Sequence, residues 1–165
     1  MPKNTVKKHS FANKHGTVFD DSLYEHLTEL ECAYIAGLID GEGCIMSSQP
    51  KNNRTPLCVK VTMVHKPTID WLNEKLGGGF YQHKSNQKRA RTSWSFELKG
   101  ARTYFLLKRL IPHMKTKRAE ADIALALGQS LFIPLVRGKL MPETIAWRAK
   151  LGQTLRDLKR YEWLE

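Results

Sequence analysis

Two carboxylates, Asp40 and Glu42, stand near the end of an apolar run, each followed by a glycine in Asp40-Gly41-Glu42-Gly43. If that run is a helix, its last carbonyl groups lack intrahelical partners and its C-terminus carries partial negative charge. Carboxylate and carbonyl oxygens together suit a hard cation such as Mg²⁺. Such an ion lowers the pKa of an attacking water and stabilises charge developing on a phosphate and its leaving oxygen. The same acids would serve equally well as solvated groups at a helix end. Upstream, Ala33, Gly37 and Gly41 recur every four residues. That spacing puts small side chains on one helical stripe, where a second helix backbone can approach closely.

The elements that must carry these residues follow from periodicity. Leu23, Leu27, Leu30, Tyr34 and Leu38 are spaced mainly by three or four from Asp20 to Asp40, which predicts a short helix running into a longer one. Beyond the glycines, Cys44 to Ser48 reads as a strand, Pro50 to Pro56 as a turn, and Leu57 to Val64 as the return strand. Leu57, Val59, Val61 and Met63 share one side of that strand, and Cys58, Lys60 and Thr62 the other. A helix follows at Thr68 to Leu76, stopped by Gly77-Gly78-Gly79. These glycines lack the spacing of a phosphate-binding loop. The order then repeats: strands at Phe80 to Lys84 and Ser93 to Leu98, a helix at Ala101 to Ile111 broken by Pro112, and helices at Ala119 to Phe132 and Pro142 to Leu164. The pattern predicts an α+β chain with a basic arm over 1–20, a core over 21–132 and a C-terminal helical extension over 133–165.

The 165 residues carry 27 Lys and Arg against 16 Asp and Glu, a formal charge of +11 that attracts polyanions. Charge alone does not choose between DNA, RNA and an anionic membrane. Cys32, Cys44 and Cys58 are odd in number and contain no Cys-x-x-Cys pair, so neither a disulfide framework nor a thiolate zinc site is indicated. No apolar stretch is long enough to span a membrane, and Met1 to Gly16 has no apolar core of a signal peptide. An intracellular location, in a prokaryotic cytoplasm or an organelle, is the expectation.

The run Tyr34-Ile35-Ala36-Gly37-Leu38-Ile39-Asp40-Gly41-Glu42-Gly43-Cys44-Ile45 resembles the signature of the LAGLIDADG homing endonucleases. Ile35 stands where the signature has Leu, and Gly41-Glu42 where it has Ala-Asp. The order of elements from Leu30 to Phe132 resembles that family's αββαββα core, with a saddle-shaped antiparallel sheet and additional C-terminal helices. The resemblance implies a site-specific, intron-encoded endonuclease that hydrolyses both strands of duplex DNA with Mg²⁺, Mn²⁺ able to substitute, leaving short 3′ overhangs. It assigns metal ligation to Glu42 and the Gly41 carbonyl, and leaves Asp40 to orient or cap the helix end. Pro112-His113-Met114-Lys115-Thr116-Lys117 resembles the segment that delivers an active-site lysine, aligned at Lys117. His65 aligns with a polar residue that positions water, with Met63 and Lys66 as neighbours should the alignment slip.

A single motif supplies half of a helix pair, so the partner helix comes from an identical protomer and the assembly is a two-fold homodimer. Ala33, Ala36, Gly37, Asp40 and Gly41 are the expected interface. Such a dimer would read a pseudo-palindromic duplex, placing sheet ribbons in the major groove. Outward candidates are Cys44, Met46, Ser48, Asn52, Asn53, Arg54, Lys60 and Thr62 on the first hairpin, and Gln82, Lys84, Arg91, Ser93 and Ser95 on the second. From Gln82 to Arg118 eleven basic residues accompany one acid, Glu97, as a phosphate-tracking surface requires. The alternatives are an RNA-binding splicing maturase or a non-cleaving DNA-binding protein on the same fold. A structural ribosome-associated protein fits the charge but leaves the motif unexplained.

Overall fold

The computed structural model describes residues 10–12, 18–47, 57–84, 91–133 and 139–161. Strands β1 (Ser10–Ala12) and β2 (Val18–Asp20) pair antiparallel, so part of the stretch expected as a basic arm is a two-stranded ladder. The short helix expected next is instead a series of tight turns, with Leu23 N–H to Asp20 O, Glu25 N–H to Ser22 O and Leu27 N–H to Tyr24 O. The Asp20 carboxylate accepts from both the backbone N–H and the hydroxyl of Ser22. Such local side-chain bonds offer the backbone an alternative to a helix, while Tyr24 and Leu27 are still delivered to the core.

Helix α1 (Glu29–Glu42) begins at a capping box: Thr28 Oγ1 accepts the Glu31 N–H, and the Glu31 carboxylate accepts the Thr28 N–H. Its inner side buries Cys32, Ile35, Ala36 and Ile39. Leu30, Ala33, Tyr34, Gly37 and Gly41 lie exposed on the outer side. At Gly43 the chain turns directly into a strand, its N–H bonded to Ile39 O. A Cβ at Gly43 would stand 2.6 Å from the Ile39 Cα, so only a glycine fits this abrupt passage.

The sheet contains β3 (Gly43–Ser47), β4 (Leu57–Met63), β5 (Gly79–His83) and β6 (Ser93–Lys99), all antiparallel and ordered β3-β4-β6-β5. Ile45, Val59 and Leu98 pair across three strands and, with Val61 and Phe96, form the buried face. Helix α2 (Lys66–Leu76), opened by Pro67 in its first turn, adds Ile69, Leu72 and Leu76 to that core. Helix α3 (Ala101–Leu110) adds Leu106, Leu107 and Leu110. Helix α4 (Arg118–Gln129) packs on α3, where Gly128 lets the Tyr104 ring come within 2.5 Å of the place a Cβ would occupy. Helix α5 (Pro142–Tyr161) lies against α4 and β3 through Leu155. Its buried Arg148 donates to the hydroxyl and carbonyl oxygens of Ser130. Among the described residues no helix is long and apolar enough to cross a membrane.

The register corrects one expectation about the second hairpin. Gln82 pairs with Trp94, so it shares the helix-side face with Phe96, while Tyr81 and His83 share the opposite face with Ser95 and Ser93. The strand begins at Gly79, and its residues alternate from there.

Candidate functional site

The end of α1 and the loop before α4 are joined by the Asp40 side chain. Its carboxylate accepts backbone N–H bonds from Lys115 at 2.7 Å, Thr116 at 3.2 Å and Lys117 at 2.9 Å. The Lys117 ammonium in turn donates to the Asp40 carbonyl oxygen. Asp40 was expected both to orient or cap the helix end and to lie in the interface; here its carboxylate organises the loop before α4 and is used within its own chain. Ala36, also expected in the interface, is fully buried on the inner side of α1. Ala33, Gly37 and Gly41 are exposed, and Cβ atoms at Gly37 and Gly41 would meet nothing within 4 Å.

Asp40, Gly41, Cys44, Thr116, Lys117, Glu120 and Lys159 line one hollow of about 540 Å³. Glu42 is exposed at the last position of α1, next in sequence to this rim. His65 is not among the lining residues. It sits at the N-cap of α2, its Nδ1 2.8 Å from the Thr68 hydroxyl. Glu120 and Lys159 were not expected at this site. The Lys159 ammonium reaches from α5 to the Cys44 sulfur at 2.9 Å, to the Ile45 carbonyl, and to the nearly buried Glu120 carboxylate at 3.5 Å. It thereby holds the open edge of β3 beside the start of α4, covering a strand edge that would otherwise offer itself for pairing. No spacing rule connects residues 44, 120 and 159; only the packing of α5 does.

The sheet face away from the core runs in register lines: Cys44, Lys60, Glu97 and Gly79; Met46, Cys58 and Lys99; Thr62, Ser95 and Tyr81; Ser93 and His83. Of the residues expected there, Cys44, Met46, Lys60, Thr62, Ser93 and Ser95 are on this face. Ser95 is nonetheless fully buried beneath His83, whose Nε2 lies 2.7 Å from its hydroxyl. Lys84 and Arg91 are exposed just outside the strands. Ser48, Asn52, Asn53 and Arg54 lie outside the described residues. Tyr81, His83, Glu97 and Lys99 belong to the face and were not anticipated as contacts.

Glu97 is the acid of this face. Its Oε1 is 3.2 Å from the Lys60 ammonium and its Oε2 2.7 Å from that of Lys99. The Lys99 hydrogen bond, then that of Lys60, holds the Glu97 carboxyl below its ordinary value, and Glu97 in turn raises Lys99. Among the described residues no three His, Cys, Asp or Glu side chains gather around one point. One protomer offers an exposed carboxylate at Glu42 and helix-end carbonyls beside it, so a cation bound there would draw its remaining oxygens from a second copy or a ligand.

No protein-family model matches the chain, and no curated protein matches it. Solved structures do. The homing endonuclease I-CvuI, in complex with its target in the presence of Ca, superposes with a TM-score of 0.63 at 21% identity, covering 78% of this chain and 82% of that one. The archaeal intron-encoded homing endonuclease I-Vdi141I, complexed with DNA, gives 0.62 at 18% identity, covering 78% and 84%. The homing endonuclease I-TnaI gives 0.55 at 17% identity, covering 81% and 96%. The chain has the LAGLIDADG homing-endonuclease fold.

Proposed function

We propose that this chain is a site-specific endonuclease for double-stranded DNA, acting as a homodimer with a divalent metal ion, Mg²⁺ in the first instance. The observation that carries the reading is the end of α1. There an exposed Glu42 and the Gly41 backbone adjoin a hollow containing Lys117, which Asp40 positions through three backbone hydrogen bonds. An acid that can hold a hard cation and a lysine that can face a phosphate are thus fixed by one helix end. The fold supports the same reading, as does the use of DNA by the structural neighbours. The exposed stripe of Leu30, Ala33, Tyr34, Gly37 and Gly41 supports the dimer, because its glycines have no neighbour of their own chain to accommodate.

In this mechanism the basic face positions the duplex so that a phosphodiester lies over the paired α1 ends. Glu42 of each protomer, with the Gly41 carbonyl, would hold the metal. When bound, the metal supplies an activated water and charge stabilisation at the leaving oxygen. Lys117 stabilises the negative charge that builds on the non-bridging phosphate oxygens, held in place by the Asp40 carbonyl. Asp40 acts on the loop and not on the substrate. His65 keeps a water-positioning role only if the α2 N-terminus faces the scissile phosphate.

The test selects bound sites from a randomised duplex library in Ca²⁺ and then measures cleavage in Mg²⁺. Wild type is expected to cut both strands of a pseudo-palindrome. Glu42→Gln should bind the same site and cut at least about 100-fold more slowly, the scale of losing a main transition-state stabiliser. Lys117→Ala should slow cutting less completely. Near-normal cleavage by folded Glu42→Gln protein, or binding confined to structured RNA, would refute the reading.

A further inference from the structure

Within a face whose other charges are basic, one carboxylate is fully engaged. Glu97 lies at the centre of the sheet on β6, directly across from Lys60 on β4, and it bridges Lys60 and Lys99 with separate oxygens. The acid is only 16% exposed, while the lysine side chains are 29% and 58% exposed, so the acid is the most covered of the three. On the other flank Glu97 pairs with Gly79. A Cβ at Gly79 would come within 2.8 Å of the Tyr81 ring, so the ring folds over the glycine. It faces the Lys99 ammonium, 5.9 Å from the ring centre. Lys60, Glu97, Lys99 and Tyr81 therefore form one connected cluster across three strands.

A free lysine on a flexible stem is a good phosphate cation and a poor reader of bases. A surface evolved only to hold phosphates gains nothing from neutralising two of its cations. Tethering costs affinity for every duplex alike, yet it fixes where two ammonium donors point. Two fixed donors in a major groove match the paired acceptors O6 and N7 of guanine.

We infer that Glu97 is a specificity-determining residue of the proposed DNA-binding face: it clamps Lys60 and Lys99 as directed donors to a guanine edge and withholds them from non-specific phosphate contact. The inference rests on the DNA reading above. It adds a residue that acts against non-specific binding, in contrast to the basic residues around it. Discrimination is a difference of affinities, and a clamp that weakens the wrong complex raises it as surely as a contact that strengthens the right one.

The experiment measures wild type and Glu97→Gln on a duplex of scrambled sequence across a salt series in Ca²⁺, and selects preferred sites for both from a randomised library. Glutamine keeps the side chain's size and removes the charge that tethers the lysines. Affinity for the scrambled duplex should rise several-fold, and the slope of log affinity against log salt should steepen by roughly 1 to 2 as the freed lysines reach phosphates. The selected site should lose a guanine preference at one symmetric pair of positions. Lys60→Met and Lys99→Met should weaken that preference without steepening the slope. An unchanged slope and an unchanged site for Glu97→Gln would overturn the clamp while leaving the DNA reading intact. A folded wild type that binds no duplex overturns both. Circular dichroism and dimer mass for each variant separate a misfolded protein from either outcome.

Discussion

The two sides of α1 meet different demands with similar residues. On the inner side Cys32, Ile35, Ala36 and Ile39 are packed away, Asp40 holds the Lys117 loop, and Gly43 is pressed against the Ile39 backbone. On the outer side Leu30 and Tyr34 are exposed, and Gly37 and Gly41 face open space. Glycines in one motif therefore have two physical reasons. Gly43 is small because its own chain leaves no room. Gly37 and Gly41 are small without any such constraint, which is the condition a closely approaching second helix would impose.

The sharpest way to break that division is at Asp40. If its role is internal, Asp40→Ala removes the acceptor of three backbone N–H groups and releases the Lys117 loop. We expect a loss of about 0.5–1.5 kcal/mol in stability, since only the Lys117 N–H is part-buried and water can reach the other two donors. Cleavage should fall by about 10–100-fold, as it does when residues behind catalytic groups are lost. Dimer mass should not change. A variant of unchanged stability that becomes monomeric would move Asp40 to the outer side. Single-turnover cleavage, chemical denaturation and sedimentation together decide it.

The glycines sharpen the same comparison. Gly43→Ala should cost about 1–3 kcal/mol, the usual penalty for forcing atoms into a filled space. Gly37→Leu should leave the isolated fold as stable or more so, because leucine favours a helix over glycine by up to about 1 kcal/mol. It should nonetheless weaken self-association by bulk on the outer stripe. Thermal melts and sedimentation velocity test the pair; equal stability losses and unchanged self-association would erase the proposed difference.

The α1 helix and its small-residue stripe were legible because periodicity in a short stretch carries their geometry, whereas Glu42 and the Lys117 loop were singled out only through the resemblance to a family. The order of strands and helices was legible for the same reason. Asp40's partners were not, because residues 40 and 115–117 meet only when the short 3-10 turn Ile111–His113 brings the chain back to α1. The outer face of the sheet was legible on β4, where Val59 and Val61 alternate with Lys60 and Thr62, and misread on β5. There Phe80 and Tyr81 are both aromatic and both half-exposed, and only pairing with β6 shows which way each points. Lys159 was invisible as a site residue because an amphipathic helix displays its charges without naming what they will touch.

The smallest expected effect lies at the other end of α1, far from the proposed chemistry. Glu31 accepts from Lys75, then from the backbone and hydroxyl of Thr28, and these bonds hold its carboxyl down to about 2, from an ordinary value of 4.5. The folded protein therefore keeps this carboxylate charged where the unfolded chain would protonate it. The associated stability is fully present above pH 4.5 and is lost as pH falls from there toward 2. Glu31→Gln should flatten that part of the pH dependence while leaving the neutral-pH fold in place, since glutamine retains an acceptor for the Thr28 N–H. Because Glu31 is near the surface, salt will screen much of its ion pair with Lys75, and the difference should shrink at high ionic strength. Glu97 is also held low, so some acid sensitivity should survive in the variant. Urea midpoints for wild type and Glu31→Gln at intervals between pH 2.5 and 6, in low and high salt, measure the effect; parallel curves would show that the capping box acts through its geometry and not through its charge.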